Sequence, residues 1–435
     1  MRAWNALVIA GMVLCLAACG TETRSPITPI APTPDAVVTP VVPVETAAPT
    51  RIVLPPAMTP EATRPITLTL WVPEEFAPGA ERGGDILETR ANEFEQTHPG
   101  IKIDYVLKAP YGKGGITDWI LQLHELMPER LPDAAIVDSR DVATLQQLGL
   151  AQPLQRALPS GAYWDLFPPA QRMARQGGAW NNQPLVLETE HLVYDTRRVA
   201  TPPLTWQDIL TTTTAFAFAA DSTDTFLLHY MHDGGVIARG KNSATDAGVM
   251  QNVLDFFQRA RANGNLSQTV AAMQSAREIM PLFASSQVPM AQVRARDFLN
   301  ERARLPNAAA APVPSRDGST AALASGWTYV ILTRDSQRER AAQEYLQWID
   351  EPAFLGEWAQ AARLIPASSS AFAQAFASDA YADTLRAILN AAQVSPGFDA
   401  QQPYATAWHA AVQAVLNGQL SPEDAAFRAL QTISP

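Results

Sequence analysis

Thiols are almost missing from this chain. Of 435 residues only Cys15 and Cys19 are cysteines, and both fall at the extreme N-terminus. Everything beyond them lacks a thiol, which excludes disulfides, Cys-ligated zinc and a Cys nucleophile from the folded part. An excess of basic charge is missing too. Against 43 Asp and Glu stand 32 Lys and Arg, for a net charge of −11, and no basic block occurs. Such a chain is a poor partner for nucleic acid or for anionic lipid surfaces. There is no Gly-x-Ser-x-Gly elbow, and Tyr111-Gly-Lys-Gly-Gly115 is no phosphate loop, because Gly114 rather than Ser or Thr follows Lys113. His229 and His232, followed by Asp233, are the only metal-like cluster. They lack a Glu for base work and run straight into Gly234-Gly235, so neither a metal nor a cofactor is expected.

What is present is a chain 47% hydrophobic and 17% charged, globular and long enough for two domains. Arg2 precedes the apolar run Ala6 to Ala18, which is too short for a comfortable membrane span and reads as a signal peptide over residues 1–18. Leu16-Ala17-Ala18-Cys19 resembles a bacterial lipobox, which implies lipidation of Cys19 and attachment to a membrane. A short anchor helix, or a signal cut after Ala18 without lipid, are the other readings of the same residues. Residues 19–65 are dense in Pro, Thr, Ala and Val, without a periodic apolar face. They read as an extended tether that cannot bury enough surface to offset its ordering entropy.

The folded part begins with a strand at Ile66 to Val72, a helix at Glu88 to Gln96 and a strand at Ile101 to Leu107. That order predicts a parallel pair with a right-handed crossover. A helix at Asp118 to Leu126, a buried strand at Asp133 to Val137 ending at Asp138, and a helix at Val142 to Leu148 closed by Gly149 follow. Further on, Ala244 to Asn263 and Ser336 to Ile349 read as helices, and Ser325 to Leu332 as a strand. Ser421 and Pro422 read as the cap and first residue of the last helix. Pro184 to Trp206, PLVLETEHLVYDTRRVATPPLTW, is the stretch most unlike its flanks. Glu188 and Glu190 alternate with apolar residues as in a half-buried strand, with at least one of the two acids solvated. Pro202-Pro203 ends the strand, and Thr205 with Asp208 predicts a helix N-cap. A strand with acids and an aromatic in mid-chain suits a crossing between two lobes.

Several of these segments together resemble the extracellular solute-binding proteins of family 1, the carbohydrate-binding lipoproteins of ABC importers. The match runs from about Ile66 to Ile433. It rests on Glu190, Leu192-Val193, Tyr194-Asp195, Pro202-Pro203 and Thr205-Trp206; on Leu131 to Leu154; on Gly234-Gly235 before a long helix; on Ser325-Gly326-Trp327; and on Leu364-Ile365-Pro366. Asp195 stands where the family has Asn, Ser325 where it has Gly, and Ala362 and Arg363 where Gly is common. Arg294 and Arg296 stand where it has a small residue. The resemblance implies an α/β fold of the periplasmic-binding-protein type II, each lobe a mixed sheet flanked by helices and joined by hinge crossings. Lobe 1 is expected at 66–189 plus 290–328 and lobe 2 at 190–289 plus 329–435. It also implies that a carbohydrate or related solute is bound without catalysis and passed to an ABC permease.

Sugar recognition needs flat apolar faces and planar polar groups. Strand ends and crossings offer Trp71, Asp138, Glu190, Tyr194, Trp327 and Tyr329, each of which could instead be packing. Arg294 and Arg296, taken to share one strand face, suggest an acidic ligand or else a salt-bridged surface. Glu188 and Glu190 cannot serve as a glycosidase pair, because they lie on one side of a single strand, whereas a sugar bond must be flanked from opposite sides. An exported hydrolase and a sensor or adhesin of the same fold are the alternatives.

Overall fold

The computed structural model describes residues 65–76, 83–154, 157–175, 178–237 and 247–433. The expected signal peptide, Cys19 and nearly all of the tether lie outside the described residues. From Ala62 onward the chain forms one compact unit.

Among the described residues there are ten strands. These are β1 (Ile66–Pro73), β2 (Ile101–Lys108), β3 (Ala134–Asp138), β4 (Gln183–Asp195), β5 (Phe216–Ala217), β6 (Met290–Arg294), β7 (Ala308–Ala311), β8 (Leu323–Ile331), β9 (Ile365–Pro366) and β10 (Gln393–Val394). Their main order is β2-β1-β3-β8-β4-β6-β5. β1 pairs parallel with β2 and β3, with the helices Gly84–Thr97 and Ile116–Leu126 in the connections, as the periodicity predicts. β8 then enters antiparallel beside β3. The architecture is the expected two-lobe α/β type.

β4 is the joint between the halves. Its first residues, Gln183 to Thr189, pair with β8, and Glu190 to Tyr194 pair with β6. One strand therefore belongs to two sheets, as expected for the Pro184–Trp206 stretch. Its burial does not alternate as expected for a half-buried strand, because both faces are covered along nearly the whole length. Pro202 and Pro203 follow, and Thr205 and Asp208 form a reciprocal capping box on the helix Trp206–Leu210. Ser421 likewise caps the last helix, accepting from the Asp424 amide at 3.1 Å.

Strand pairing divides the chain differently from the expected boundaries at 290 and 329. β6 does not return to the first sheet but pairs with the second half of β4. β8 lies wholly in the first sheet, beside β3 and the first half of β4. The crossing back therefore falls before β8, between β7 and β8. The Ser336–Ile349 helix packs on β1 and β8, and β9 and β10 pair in the first sheet. The last two helices, Phe398–Leu416 and Pro422–Ile433, rejoin the second half against Ala247–Ala262, and the helix Tyr381–Ala391 touches it through β7 and through Tyr381 against His191. Trp408 seals that junction by stacking on Phe226 at 4.1 Å between ring centroids. Pairing partners this far apart along the chain are set by tertiary packing, so local pattern is silent on them.

The helix Pro352–Ala362 ends on Arg363, held left-handed at φ 57° and ψ 44°. A β-carbon is disfavoured there by roughly 1 kcal/mol, and glycine carries no such penalty. Arg363→Gly should therefore raise stability by about that much, read as a higher denaturation midpoint. A lowered midpoint would mean that the arginine side chain contributes more than its backbone costs.

Candidate functional site

The parallel strands deliver their carboxyl ends to one crevice, as open α/β sheets generally do. Glu75 lies just past β1, Tyr111 just past β2, and Asp138 closes β3. β4 supplies Glu188 and Glu190, β8 supplies Ser325, Gly326 and Trp327, and Asp224 comes from the helix Thr223–His232. Together they line a cleft with about 830 Å³ of atom-free space, part of it open to solvent. Beyond Tyr111 and Arg140 the cleft widens toward Thr117, Ser222, Gln274 and Phe398.

Four of the seven expected site residues meet in this cleft: Asp138, Glu190, Arg294 and Trp327. The other three do not reach it. Trp71 is 6% exposed and packs with Ile116, Ile120, Val137 and Leu145, with the Lys108 ammonium 4.7 Å from its ring centre. Strand parity is the reason: Leu70 and Val72 face the main core, so Trp71 must face the opposite side. Tyr329 is fully buried and donates its hydroxyl to the Ala342 carbonyl at 3.2 Å. Tyr194 packs against the core near the end of β4, opposite Met290. A pair of tryptophans facing each other across the groove is thus not what the fold builds.

The aromatic wall is Tyr111 with Trp327 instead, at 5.5 Å between ring centroids. Trp327 is only 7% exposed and is braced edge-on by Phe76 at 5.5 Å, whereas Tyr111 is 40% exposed. Tyr111 escaped the sequence reading because its glycine-rich setting was weighed only as a phosphate loop, which Gly114 after Lys113 excludes. The strand-end rule that singled out Asp138 would have found it.

Asp138 is not a free acceptor. Arg140 donates to it from its backbone amide at 2.8 Å, from Nε at 3.0 Å and from Nη2 at 2.9 Å, and the Tyr111 hydroxyl donates at 3.1 Å. Burial, the Asp138 charge and this hydrogen bond hold the Tyr111 phenol well above its ordinary pKa, so it stays a donor. Arg140 also reaches Asp224 at 3.1 Å, from the other side of the cleft. Arg296 meets Glu75 at 2.5 Å, so a second ion pair bridges the two halves. β6 stops at Arg294, and Arg296 lies in the helix Ala295–Glu301, so the two arginines do not share a strand face as expected. Both nevertheless line the cleft.

Glu188 and Glu190 both line the cleft: Glu188 stays partly exposed, as expected of at least one of the two, and Glu190 is buried. Glu190 is 9% exposed and accepts from Gln292 Nε2 at 2.7 Å. Its carboxyl is pushed up from 4.5 to about 7, by burial first and then by Asp224 and Glu188, against the Gln292 hydrogen bond and the field of Arg294. The folded protein therefore binds this proton more tightly than the unfolded chain does. The stability it contributes is complete below pH 4.5 and lost as pH rises through about 7. Glu190→Gln should accordingly be near neutral at pH 4.5 and stabilise by as much as about 3 kcal/mol at pH 8. Urea melts of both proteins at the two pH values measure this, and an equal difference at both would refute it.

His229 and His232 diverge. His229 is fully buried among Trp206, Phe218, Phe256 and Phe257, and burial pulls its imidazole down to about 3. His232 instead lies 3.0 Å from Ser319 Oγ and 3.5 Å from Asp317. No cluster suited to a metal ion occurs among the described residues. None of their helices is long and apolar enough to cross a membrane.

Solved structures match this fold over nearly their whole length. The sugar-binding protein MalE of Xanthomonas citri aligns with a TM-score of 0.71 at 16% identity, covering 85% of this chain and 96% of that one. The cyclic α-maltosyl-1,6-maltose binding protein of Arthrobacter globiformis gives 0.69 at 18%, with 85% and 98% covered. The GacH receptor of Streptomyces glaucescens, solved unliganded and with acarbose, gives 0.67 at 18%, with 83% and 96% covered. At these identities the likeness is one of fold. No curated protein matches the sequence closely enough to count as a relative. The model of the family described as bacterial extracellular solute-binding protein matches residues 89–386. With that match, and with a cleft floored by a strand that two sheets share, the chain belongs to the bacterial extracellular solute-binding proteins, which bind substrates rather than transform them.

Proposed function

We propose that this protein is the lipid-anchored solute-binding component of an ABC importer, taking a carbohydrate or related polar solute in the cleft and handing it to the permease. The observation that carries the reading is the Tyr111–Trp327 ring wall set among planar carboxylate and guanidinium groups in a crevice between two sheets. Rings stack on the C–H faces of a pyranose, and planar polar groups bind hydroxyl pairs. Asp138, Glu190, Arg294 and Trp327 are the expected residues that line this cleft. Trp71, Tyr194 and Tyr329 support it from the packed layers. Hinge bending about β4 and the other crossings closes the lobes on the solute. Cys19, followed by its proline-rich tether, holds the domain outside the cytoplasmic membrane.

The purified chain, screened by thermal shift and tryptophan fluorescence against a solute library, tests the binding step. A saccharide at a hundred times its Kd should stabilise the folded state by about 2.7 kcal/mol. Absence of a response to every saccharide would favour a sensor or adhesin of the same fold. Fatty-acid labelling of cells that carry the wild type, but not Cys19→Ala, tests the anchor. Equal labelling of both would remove it.

A further inference from the structure

The arginines of the cleft are already spoken for, and two of its acids are not. Arg140 is held by Asp138 and Asp224, Arg296 by Glu75, and Arg294 by both oxygens of Asp297 at 2.6 and 2.8 Å. Arg294 stands directly opposite Glu190 in the β4–β6 pairing, yet its guanidinium turns to Asp297. The remaining arginine, Arg277, is exposed to solvent. Glu188 receives only backbone amides, from Thr189 at 3.2 Å and Arg296 at 3.4 Å, and Glu190 receives the neutral Gln292 amide. Neither has an ion-pair partner among the described residues, although both line the cleft from the same side of β4. An acidic ligand would meet two carboxylates, Glu190 buried and Glu188 partly exposed, and no free arginine except the exposed one. Arg294 acts on both acids through space but bonds neither. A buried acid without a bonded counter-ion is costly, and a ligand cation lowers that cost on binding.

We infer that the solute bears a protonated amine, seated on Glu188 and Glu190 at the floor of the cleft, while its hydroxyl-bearing body lies against Tyr111 and Trp327. The ligand is thus a polyhydroxylated amine, such as an amino sugar or an oligosaccharide of amino sugars. This deepens the reading of the cleft as a saccharide site and rests on it. Both carboxylates are reached from one direction, so a single ammonium group with three donors can serve them together.

Calorimetry at pH 7.5 with three matched trisaccharides tests the inference: the free amine of chitosan, its N-acetylated form, and maltotriose. The amine should bind at least about tenfold more tightly than either neutral sugar, the range of one charge-assisted hydrogen bond. In Glu190→Gln, which keeps an oxygen able to accept from Gln292, the ratio should fall toward one, and Glu188→Gln should lower it as well. The wild-type comparison needs no variant to fold. Binding of maltotriose or the acetylated sugar with no advantage for the amine would overturn the inference and leave the saccharide site standing. An unchanged ratio in both variants would overturn the seat assigned to the amine. Binding of none of the three would overturn the saccharide reading, and the inference with it.

Discussion

Gly326→Ala is expected to lower stability by about 3 kcal/mol or more, the range of backbone-level overpacking. A β-carbon there would sit 2.0 Å from the Val186 carbonyl oxygen and 3.0 Å from the Leu187 α-carbon. Both atoms are backbone, so no rotamer change can relieve the contact. β8 would have to lift away from β4 beside the register shift between Pro184 and Val186. Those two strands form the floor of the cleft, so solute binding should fail together with stability. Ser325→Ala, one residue earlier, should change stability by only about 0.5 kcal/mol, because Ser325 is partly exposed in the cleft lining and loses only its hydroxyl. Denaturant midpoints for both variants, with binding measured at low denaturant, are the check. A normal midpoint for Gly326→Ala would mean that β4 and β8 lie farther apart than described. The position also explains a departure from the family pattern: the first glycine of the pair can be replaced by Ser325, and the second cannot.

Asp138→Ala should cost about 3–5 kcal/mol, the price of stranding a buried charge. The Arg140 side chain is 11% exposed and that of Asp138 3%. With Asp138 gone, Arg140 keeps only Asp224, whose side chain is 53% exposed, as an ionic partner. Removing the guanidinium as well, in Asp138→Ala with Arg140→Met, should recover a large part of the loss, because no uncompensated ion then remains. Denaturation of the two single variants and the double variant gives the coupling directly. Additive losses would show that Asp138 acts by packing and by its bond to Tyr111 rather than by holding the arginine. Solute affinity should fall in Asp138→Ala even where the protein folds, since Tyr111 loses the acceptor that orients its ring.

Much of the fold was legible locally. The parallel start β1, helix, β2 follows from alternation, the Pro99-Gly100 break and a helical apolar face, all within a few dozen residues. The capping box at Thr205 and the αL glycine at Gly149 are likewise short-range matters of hydrogen bonding and sterics. The site was legible only in part. Asp138 and Trp327 lie where strand ends meet, but the pattern that marked Trp71 as a strand-end aromatic said nothing of which sheet face it takes. The Arg294 and Arg296 pair could be read as an anion site or as salt-bridged, because their partners, Asp297 and Glu75, cannot be assigned from spacing alone.

Composition and order by themselves determined that the folded part has no thiol chemistry and that it alternates strands with helices. Those properties follow from residue counts and from periodicities of two and 3.6, which act over short stretches of chain. Only the tertiary structure decided which half β6 and β8 belong to, which aromatic rings reach the cleft, and which charges there remain unpaired. These depend on contacts between residues one hundred or more positions apart, such as Glu75 with Arg296 and Gln292 with Glu190, whose geometry exists only once the sheets have closed on each other.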